Sequence, residues 1–306
     1  MFRTVLIHRG EKLSIRDNWL VVTTEEGEKK IPLEDIDSVV IDNPVLTFTV
    51  PAMTRLTENG AHVLLCDEKH LPTTLILPQY RHYRPLPVLR SQIEMTEEFK
   101  NALWDRITAQ KIRNQAKVLS LSGVKTEIVE RMNAFAEEVR NGDEGNREGI
   151  AAKMFFRALY GASFLRMADD GINAALNYGY TIIRSSFCKT LAGYGYQCTL
   201  GLHHIGEMNA FNLADDMMEP LRPLVDYWVD EHHEELTDEL SPDQRKELAA
   251  LTSRVVLWNG KKMKLRNAID RYVSSLTTAI LRDDAGLLLI PEILRSGAYG
   301  GEDGDD

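Results

Sequence analysis

No apolar run in this 306-residue chain approaches the eighteen or so residues that a membrane-spanning helix needs. No membrane contact is expected, and the start of the chain carries no signal-peptide pattern. Cysteine is scarce: Cys66, Cys188 and Cys198 cannot all pair, and no Cys-x-x-Cys spacing occurs. That weighs against a disulfide framework or a zinc knuckle, and a reducing cytoplasm is the expected setting. Positive charge is in deficit, with 36 Lys and Arg against 46 Asp and Glu and a net charge of −10. Indiscriminate nucleic-acid binding is thereby disfavoured, because affinity for phosphate backbones comes largely from lysine and arginine. Neither His-Glu-x-x-His nor Glu-x-x-His occurs, which argues against a zinc protease helix and a carboxylate-bridged iron bundle. Internal repeats and low-complexity blocks are absent.

The negative charge is unevenly placed. Residues 226–247 hold nine acids against Arg245 and Lys246, and residues 301–306 hold four more. Without these two segments the chain is about neutral, which leaves room for basic local surfaces.

Residues 1–77 read as β-rich. Short apolar or β-branched runs at 2–7, 12–16, 19–24, 36–41, 46–50, 62–66 and 73–77 are separated by turn residues, with one short helix after Pro51. From residue 91 the period changes to that of helices. A helix free of Gly and Pro is expected over 96–121, others over 125–140, from about 146, through 191, over 226–240 and over 266–282, with a small hairpin at Asn259-Gly260. The fold class is therefore α+β: a small N-terminal β-rich domain (1–77), a Pro-rich linker (78–90), a larger all-α catalytic domain (91–297) and an acidic, disordered tail (298–306). In the linker, Arg81 and Arg84 alternate with Tyr80 and Tyr83. Such a stretch can stack on bases and hold phosphates, or serve as a plain hinge.

The chemistry-bearing stretch is 203–223. It opens with His203-His204 and continues to Asp216-x-x-Glu219 on an expected helix, where residues three apart share a face. Adjacent carboxylates repel unless a cation lies between them, and hard cations prefer oxygen ligands. Glu148 is the second unusual acid. Ala152, Phe155, Phe156 and Leu159 follow it at helical offsets, so it begins an apolar stripe. A buried carboxylate there needs a partner or a metal, although the dipole of a helix first turn also favours Glu. One imidazole with several oxygens suits Mg²⁺ or Mn²⁺, and such a site suits phosphodiester chemistry. The acid- and histidine-rich run 230–235 reads as a solvated charged face.

Arg147-Glu148-Gly149, Asn173-Ala-Ala-Leu-Asn-Tyr-Gly-Tyr180, Gly201-Leu-His-His204 and Phe211-Asn-Leu-Ala-Asp-Asp-Met-Met-Glu-Pro-Leu-Arg-Pro223 occur in that order. Together they resemble the CRISPR-associated protein 1 family of spacer-acquisition integrases, across essentially the whole chain. The wording of the last motif is most similar to the type II branch. The resemblance implies Glu148, His204 and Glu219 as ligands of a catalytic Mg²⁺ or Mn²⁺, with Asp216 as a supporting acid. Many relatives carry Asp at the position of Glu219, which keeps the oxygen ligand. The implied reaction is attack of a DNA 3′-hydroxyl on a phosphodiester at the edge of a CRISPR repeat. Arg222, Arg81, Arg84, Lys111, Arg166 and Arg184 are the expected contacts to double-stranded DNA. A homodimer, assembly with CRISPR-associated protein 2 and assistance from the RNA-guided nuclease are implied as well. A stand-alone metal-dependent DNase or junction resolvase, and a non-catalytic DNA-binding scaffold, are the rival readings.

Overall fold

The computed structural model describes residues 3–78 and 84–294. The expected tail 298–306 and part of the linker, including Arg81, lie outside the described residues. Strand β1 (Arg3–Ile7) precedes a meander of β2 (Lys12–Arg16), β3 (Trp19–Thr24) and β4 (Gly27–Pro32). Asp17 and Asn18 turn β2 into β3 with φ of 50° and 62°, the left-handed pair that a two-residue hairpin loop requires. Then come β5 (Ile36–Ile41), β6 (Thr47–Phe48), α1 (Val50–Glu58), β7 (His62–Cys66) and β8 (Pro72–Ile76). They form two four-stranded sheets. One has the order β1-β5-β7-β8 and is parallel except at β8; the other has the order β4-β3-β2-β6. Leu13, Leu20, Val39 and Val63 meet Ala52 and Leu56 of α1 in a small core of their own.

Helix begins earlier than expected, at α2 (Pro85–Glu94), inside the Pro-rich segment. Pro85 is tolerated there because a first-turn N–H has no helical partner in any case. The remaining elements are α3 (Glu97–Leu121), α4 (Thr126–Glu137), α5 (Arg147–Tyr160), α6 (Gly171–Gly193) and α7 (Asn212–Met218). A single 3₁₀ turn, Glu219–Leu221, links α7 to α8 (Arg222–His232), and α9 (Pro242–Ala249) follows. The helix expected over 226–240 thus starts four residues earlier and stops at His232. Asp226 lies on its buried face, 1% exposed, while Glu231, Glu234 and Glu235 in the run 230–235 are exposed, as a solvated charged face requires. The C-terminal region is not purely helical. Strands β9 (Val255–Trp258) and β10 (Lys261–Lys264) make the expected hairpin, α10 (Leu265–Arg282) follows, and β11 (Glu292–Ile293) completes a three-stranded sheet.

The β-rich region is bolted onto the helices. Val40 and Leu64 belong to the large helical core, His62 Nε2 lies 3.0 Å from Ser185 Oγ on α6, and Lys189 of α6 pairs with Asp37. Among the described residues no helix is long and apolar enough to cross a membrane.

Helix α3 is the axis of the helical region. Thr96 caps it by accepting from Phe99 N, and Glu97 and Glu98 in its first turn complement the dipole. Leu103, Trp104, Ile107, Ile112, Ala116 and Leu119 are all at most 1% exposed, as their spacing predicts. Lys111, Asn114 and Gln115 are buried with them, and these three polar side chains lead to the site.

Candidate active site

Glu148 is placed by a relay of hydrogen bonds. Asp105 Oδ1 on α3 accepts from Gly142 N (2.8 Å) and Asp143 N (3.1 Å), fixing a loop in which residues 141 to 143 all have positive φ. Asp143 in turn caps α5: its oxygens accept from Arg147 N (2.8 Å) and Glu148 N (2.9 Å), while Asn146 Oδ1 accepts from Gly149 N (3.2 Å). Three of the otherwise orphaned first-turn N–H groups are satisfied, and Glu148 is held in the first turn. Its carboxylate accepts a 2.6 Å hydrogen bond from Lys111 Nζ.

Glu219 reaches the same ammonium, with Lys111 Nζ at its Oε2 and Arg222 Nε 2.7 Å from its Oε1. The 3₁₀ turn that carries it is pinned by α3, because Asn114 Nδ2 donates to the carbonyl of Pro220 (2.6 Å) and to that of Pro291 (3.1 Å). Burial alone would raise the Glu219 carboxyl. Arg222 and Lys111 together outweigh it and hold the group well below the usual carboxylate range. Burial would likewise lower the Lys111 ammonium, but Glu219 and Glu148 raise it instead. The sequence reading puts Lys111 among the DNA-contacting cations; the structure buries it between the two carboxylates, with its side chain 10% exposed.

Asp216 and Glu219 do not share a partner, contrary to the simple i,i+3 picture. Asp216 is fully buried and turns toward the histidine loop. Its Oδ2 accepts from Leu202 N (2.6 Å) and His203 N (3.0 Å), and its Oδ1 from His204 N (3.1 Å). His204 Nδ1 is 2.5 Å from the same Oδ1. With Nδ1 donating to Asp216, the free lone pair of a neutral imidazole is on Nε2, the usual arrangement behind a ligand histidine. That hydrogen bond is the main cause of a raised His204 pKa. Asp216 therefore positions the loop and the imidazole. Gly201 is obligatory here, since a Cβ on it would lie 2.2 Å from His204 O and 2.8 Å from Asp216 Oδ2.

Two further supports hold this loop. Trp104 of α3 stacks flat on His203 (4.3 Å between centroids) and meets His204 edge-on at 5.7 Å. Buried Gln92 of α2 accepts from Gln197 N (2.8 Å) and donates to Gln197 O (3.2 Å). Beside the carboxylates lies a cavity of about 240 Å³ lined by Lys111, Arg166, Tyr180, Glu219, Arg222 and Asp226, among others. The guanidinium carbons of Arg166 and Arg222 are 5.3 and 4.8 Å from the Tyr180 ring centroid. Asn173 and Asn177 hold Arg166 through hydrogen bonds of 2.9 and 2.8 Å. Tyr180 hydroxyl donates to Asp226, whose burial pushes its carboxyl up to about 7.

Of the expected DNA contacts, Lys111, Arg166 and Arg222 thus line one cavity. Arg184 lies elsewhere, over Phe211 at 5.0 Å and 3.8 Å from Asp215. Arg84 is exposed at the start of α2. Among the described residues no three His, Cys, Asp or Glu side chains close on one metal-sized point; Lys111 lies between two of the three expected ligands. The donor chemistry of Glu148, Glu219 and His204 nevertheless fits a hard divalent cation. Trp104 and Asp226 are what sequence reading misses as parts of the site, and Lys111, expected on DNA, is found between the two glutamates instead. Lys111 gives a usable signal: it stands four residues after Ile107 and seven after Trp104, a charge on an apolar stripe, as Glu148 is.

The family described as CRISPR associated protein Cas1 matches residues 4–235. The chain is 39% identical over 295 residues to the CRISPR-associated endonuclease Cas1 of Neisseria meningitidis serogroup C (strain 8013), over 96% of this chain and 97% of the relative. Among solved structures, a casposase bound to integration product is similar at a TM-score of 0.73 and 19% identity, over 92% of this chain and 91% of that one. A chain of a Cas6-RT-Cas1–Cas2 complex is similar at a TM-score of 0.74 and 18% identity, over 95% of this chain but only 36% of that longer one. These two structural likenesses speak to the α+β fold, and the family match and the Neisseria relative speak to descent. The chain belongs to the CRISPR-associated Cas1 family.

Proposed function

We propose that this protein is a DNA integrase and endonuclease of CRISPR spacer acquisition, dependent on Mg²⁺ or Mn²⁺. The observation that carries the reading is the convergence of Glu148 and Glu219 on Lys111, with His204 oriented beside them by Asp216. The Neisseria relative is named an endonuclease, and the casposase structure is described as bound to an integration product; both favour this reaction class.

Glu148, Glu219 and Nε2 of His204 are the groups that would hold the cation. Bound there, Mg²⁺ or Mn²⁺ supplies charge neutralisation for phosphate oxygens and lowers the pKa of the attacking hydroxyl. The chain's own residues do the rest. Arg222 and Arg166, steadied by Tyr180, hold a phosphate of the DNA. Asp216 keeps His204 in one tautomer and one orientation. The 3′-hydroxyl of a short captured DNA loses its proton and forms a new P–O bond at the repeat edge, while the bond from that phosphorus to the 3′-oxygen of the preceding nucleotide in the target strand breaks and that oxygen takes up a proton.

The proposal extends to assembly. Exposed Val45, Phe48 and Val50 near the edge strand β6 favour a homodimer through the β-rich region. A complex with CRISPR-associated protein 2 is proposed on the strength of the Cas6-RT-Cas1–Cas2 likeness. The type II branch, with help from its RNA-guided nuclease, rests on the wording of the 211–223 motif, and a cytoplasmic setting on the cysteine usage.

The test is strand joining, with a repeat-bearing plasmid and 3′-hydroxyl duplexes in Mn²⁺. Glu148→Ala, His204→Ala and Glu219→Ala are each expected to lower joining at least about a hundredfold without loss of fold. Random cleavage without joining would favour the stand-alone DNase or resolvase. Full joining by the His204 variant would remove the site assignment.

A further inference from the structure

We propose that Lys111 is a positioning residue that couples cation binding to phosphate binding, acting as a displaceable counter-ion between Glu148 and Glu219. The inference rests on the reading of those two glutamates as ligands. Its basis is the placement of one ammonium. Lys111 Nζ lies 2.6 Å from Glu148 Oε1 and also contacts Glu219 Oε2, with the lysine side chain 10% exposed. Helix α3 holds this lysine among Trp104, Ile107, Asn114 and Gln115, all buried, so its backbone is fixed and only the side chain is free to turn.

The charges then dictate the behaviour. Two carboxylates, Glu148 and Glu219, face two cations, Lys111 and Arg222, so this inner group sums to zero. A divalent cation placed on the same carboxylates meets the lysine charge at close range. In a partly buried site that repulsion is far larger than in water. Two events relieve it: Lys111 turns away, or anions enter. The cavity of about 240 Å³ beside Lys111 gives room for both together: its wall holds three cations, Lys111, Arg166 and Arg222, against the carboxyl groups of Glu219 and Asp226. A phosphodiester there takes the ammonium from the glutamates and restores neutrality around the cation. Cation and DNA therefore bind with positive cooperativity, and the coupling is reciprocal. The glutamates are occupied by a protein cation until DNA arrives.

Mn²⁺ binding to the full chain, followed by electron paramagnetic resonance, tests this. It is measured with and without a duplex ending in 2′,3′-dideoxynucleotides, which binds but cannot react. In the wild-type protein the duplex is expected to tighten Mn²⁺ at least about tenfold. In Lys111→Gln, Mn²⁺ alone is expected to bind at least about tenfold more tightly than in wild type, and the duplex to add less than about twofold. A purely structural salt bridge predicts neither change. Unchanged Mn²⁺ affinity in a folded Lys111→Gln, or a wild-type affinity indifferent to the duplex, overturns the proposal. Lys111→Met removes the same charge and serves if the Gln variant does not fold, while the wild-type comparison needs no substitution. Glu219→Gln separates the two levels. If Mn²⁺ binding survives that change undiminished, the ligand assignment itself falls. If it is lost there and unaltered in Lys111→Gln, only the coupling falls.

Discussion

Asp226 shows how much a single buried carboxyl shapes the stability of this protein. It is 1% exposed, and Tyr180 hydroxyl and the nearby positive charges offset its burial only in part. Its pKa is pushed up to about 7, above the unfolded value of roughly 3.9. Between those two values the folded protein binds a proton that the unfolded chain has lost. The Asp226 contribution to stability is therefore greatest near pH 4, falls as pH rises toward 7 and is flat above that. Asp226→Asn lacks this dependence. Its stability relative to wild type is expected to improve by roughly 3 kcal/mol between pH 4.5 and pH 8, read from urea unfolding at both pH values. Parallel stability curves for the two proteins would show that Asp226 is ionised throughout. Asp216 is buried to the same degree, but three backbone N–H groups and an imidazole serve its two oxygens. Burial and hydrogen bonding thus give these two acids, ten residues apart, different work.

At the scale of elements, helix α6 carries a contrast between two of its own glycines. A Cβ on Gly179 would lie 2.4 Å from Val225 Cγ1 of α8 and 3.3 Å from Leu248 Cδ2 of α9, so the close approach of three helices depends on its absence. A Cβ on Gly193 would meet nothing within 4 Å. Gly179→Ala is expected to destabilise by about 1–3 kcal/mol through overpacking, and Gly193→Ala to stabilise by roughly 0.5–1 kcal/mol through helix propensity. Thermal melts of the two variants check the opposite signs. Gly179 precedes Tyr180, and Val225 follows Arg222 by three, so two residues that line the cavity beside Lys111 flank this tight crossing. Helix α3 is the other organising element. Asp105 fixes the loop before Glu148, Trp104 packs under the histidines, Asn114 pins the turn of Glu219, and Lys111 joins the two glutamates.

At the scale of the molecule, the β-rich and helical regions meet through a buried ion pair. Asp42, at the end of β5, has its side chain fully buried; Arg245 Nε on α9 lies 2.7 Å from its Oδ2 and His70 Nδ1 2.6 Å from its Oδ1. Arg245 also donates to the carbonyl of Leu240 at 2.5 Å. Removing Arg245 leaves the buried Asp42 carboxylate with the imidazole of His70 and without its guanidinium partner. Arg245→Ala is expected to cost about 3–5 kcal/mol in urea unfolding. A loss under 1 kcal/mol would mean that water reaches Asp42 in the variant. The net charge of −10 bears on the same scale: the cations lining the cavity are a local feature of a negatively charged molecule.

The sequence by itself determined the order and type of most elements. Strands β2, β3, β5 and β7 and the start of α9 at Ser241-Pro242 follow from local periodicity, turn pairs and caps, which depend on neighbours along the chain. It also marked Glu148 as a carboxylate on an apolar stripe, and the run from His203 to Arg222 as the chemical centre. Tertiary structure decided the rest. Whether Asp216 faces Glu219 or the histidine loop depends on the three backbone N–H groups of residues 202–204, which no i,i+3 spacing reveals. Lys111 joins the glutamates because α3 passes between α5 and the Glu219 turn, and that crossing is a contact between distant segments. The burial of Asp226 within α8 goes with its hydrogen bond from Tyr180 of α6, a contact between distant segments. Local spacing names the candidate residues, whereas long-range packing assigns each of them its partner.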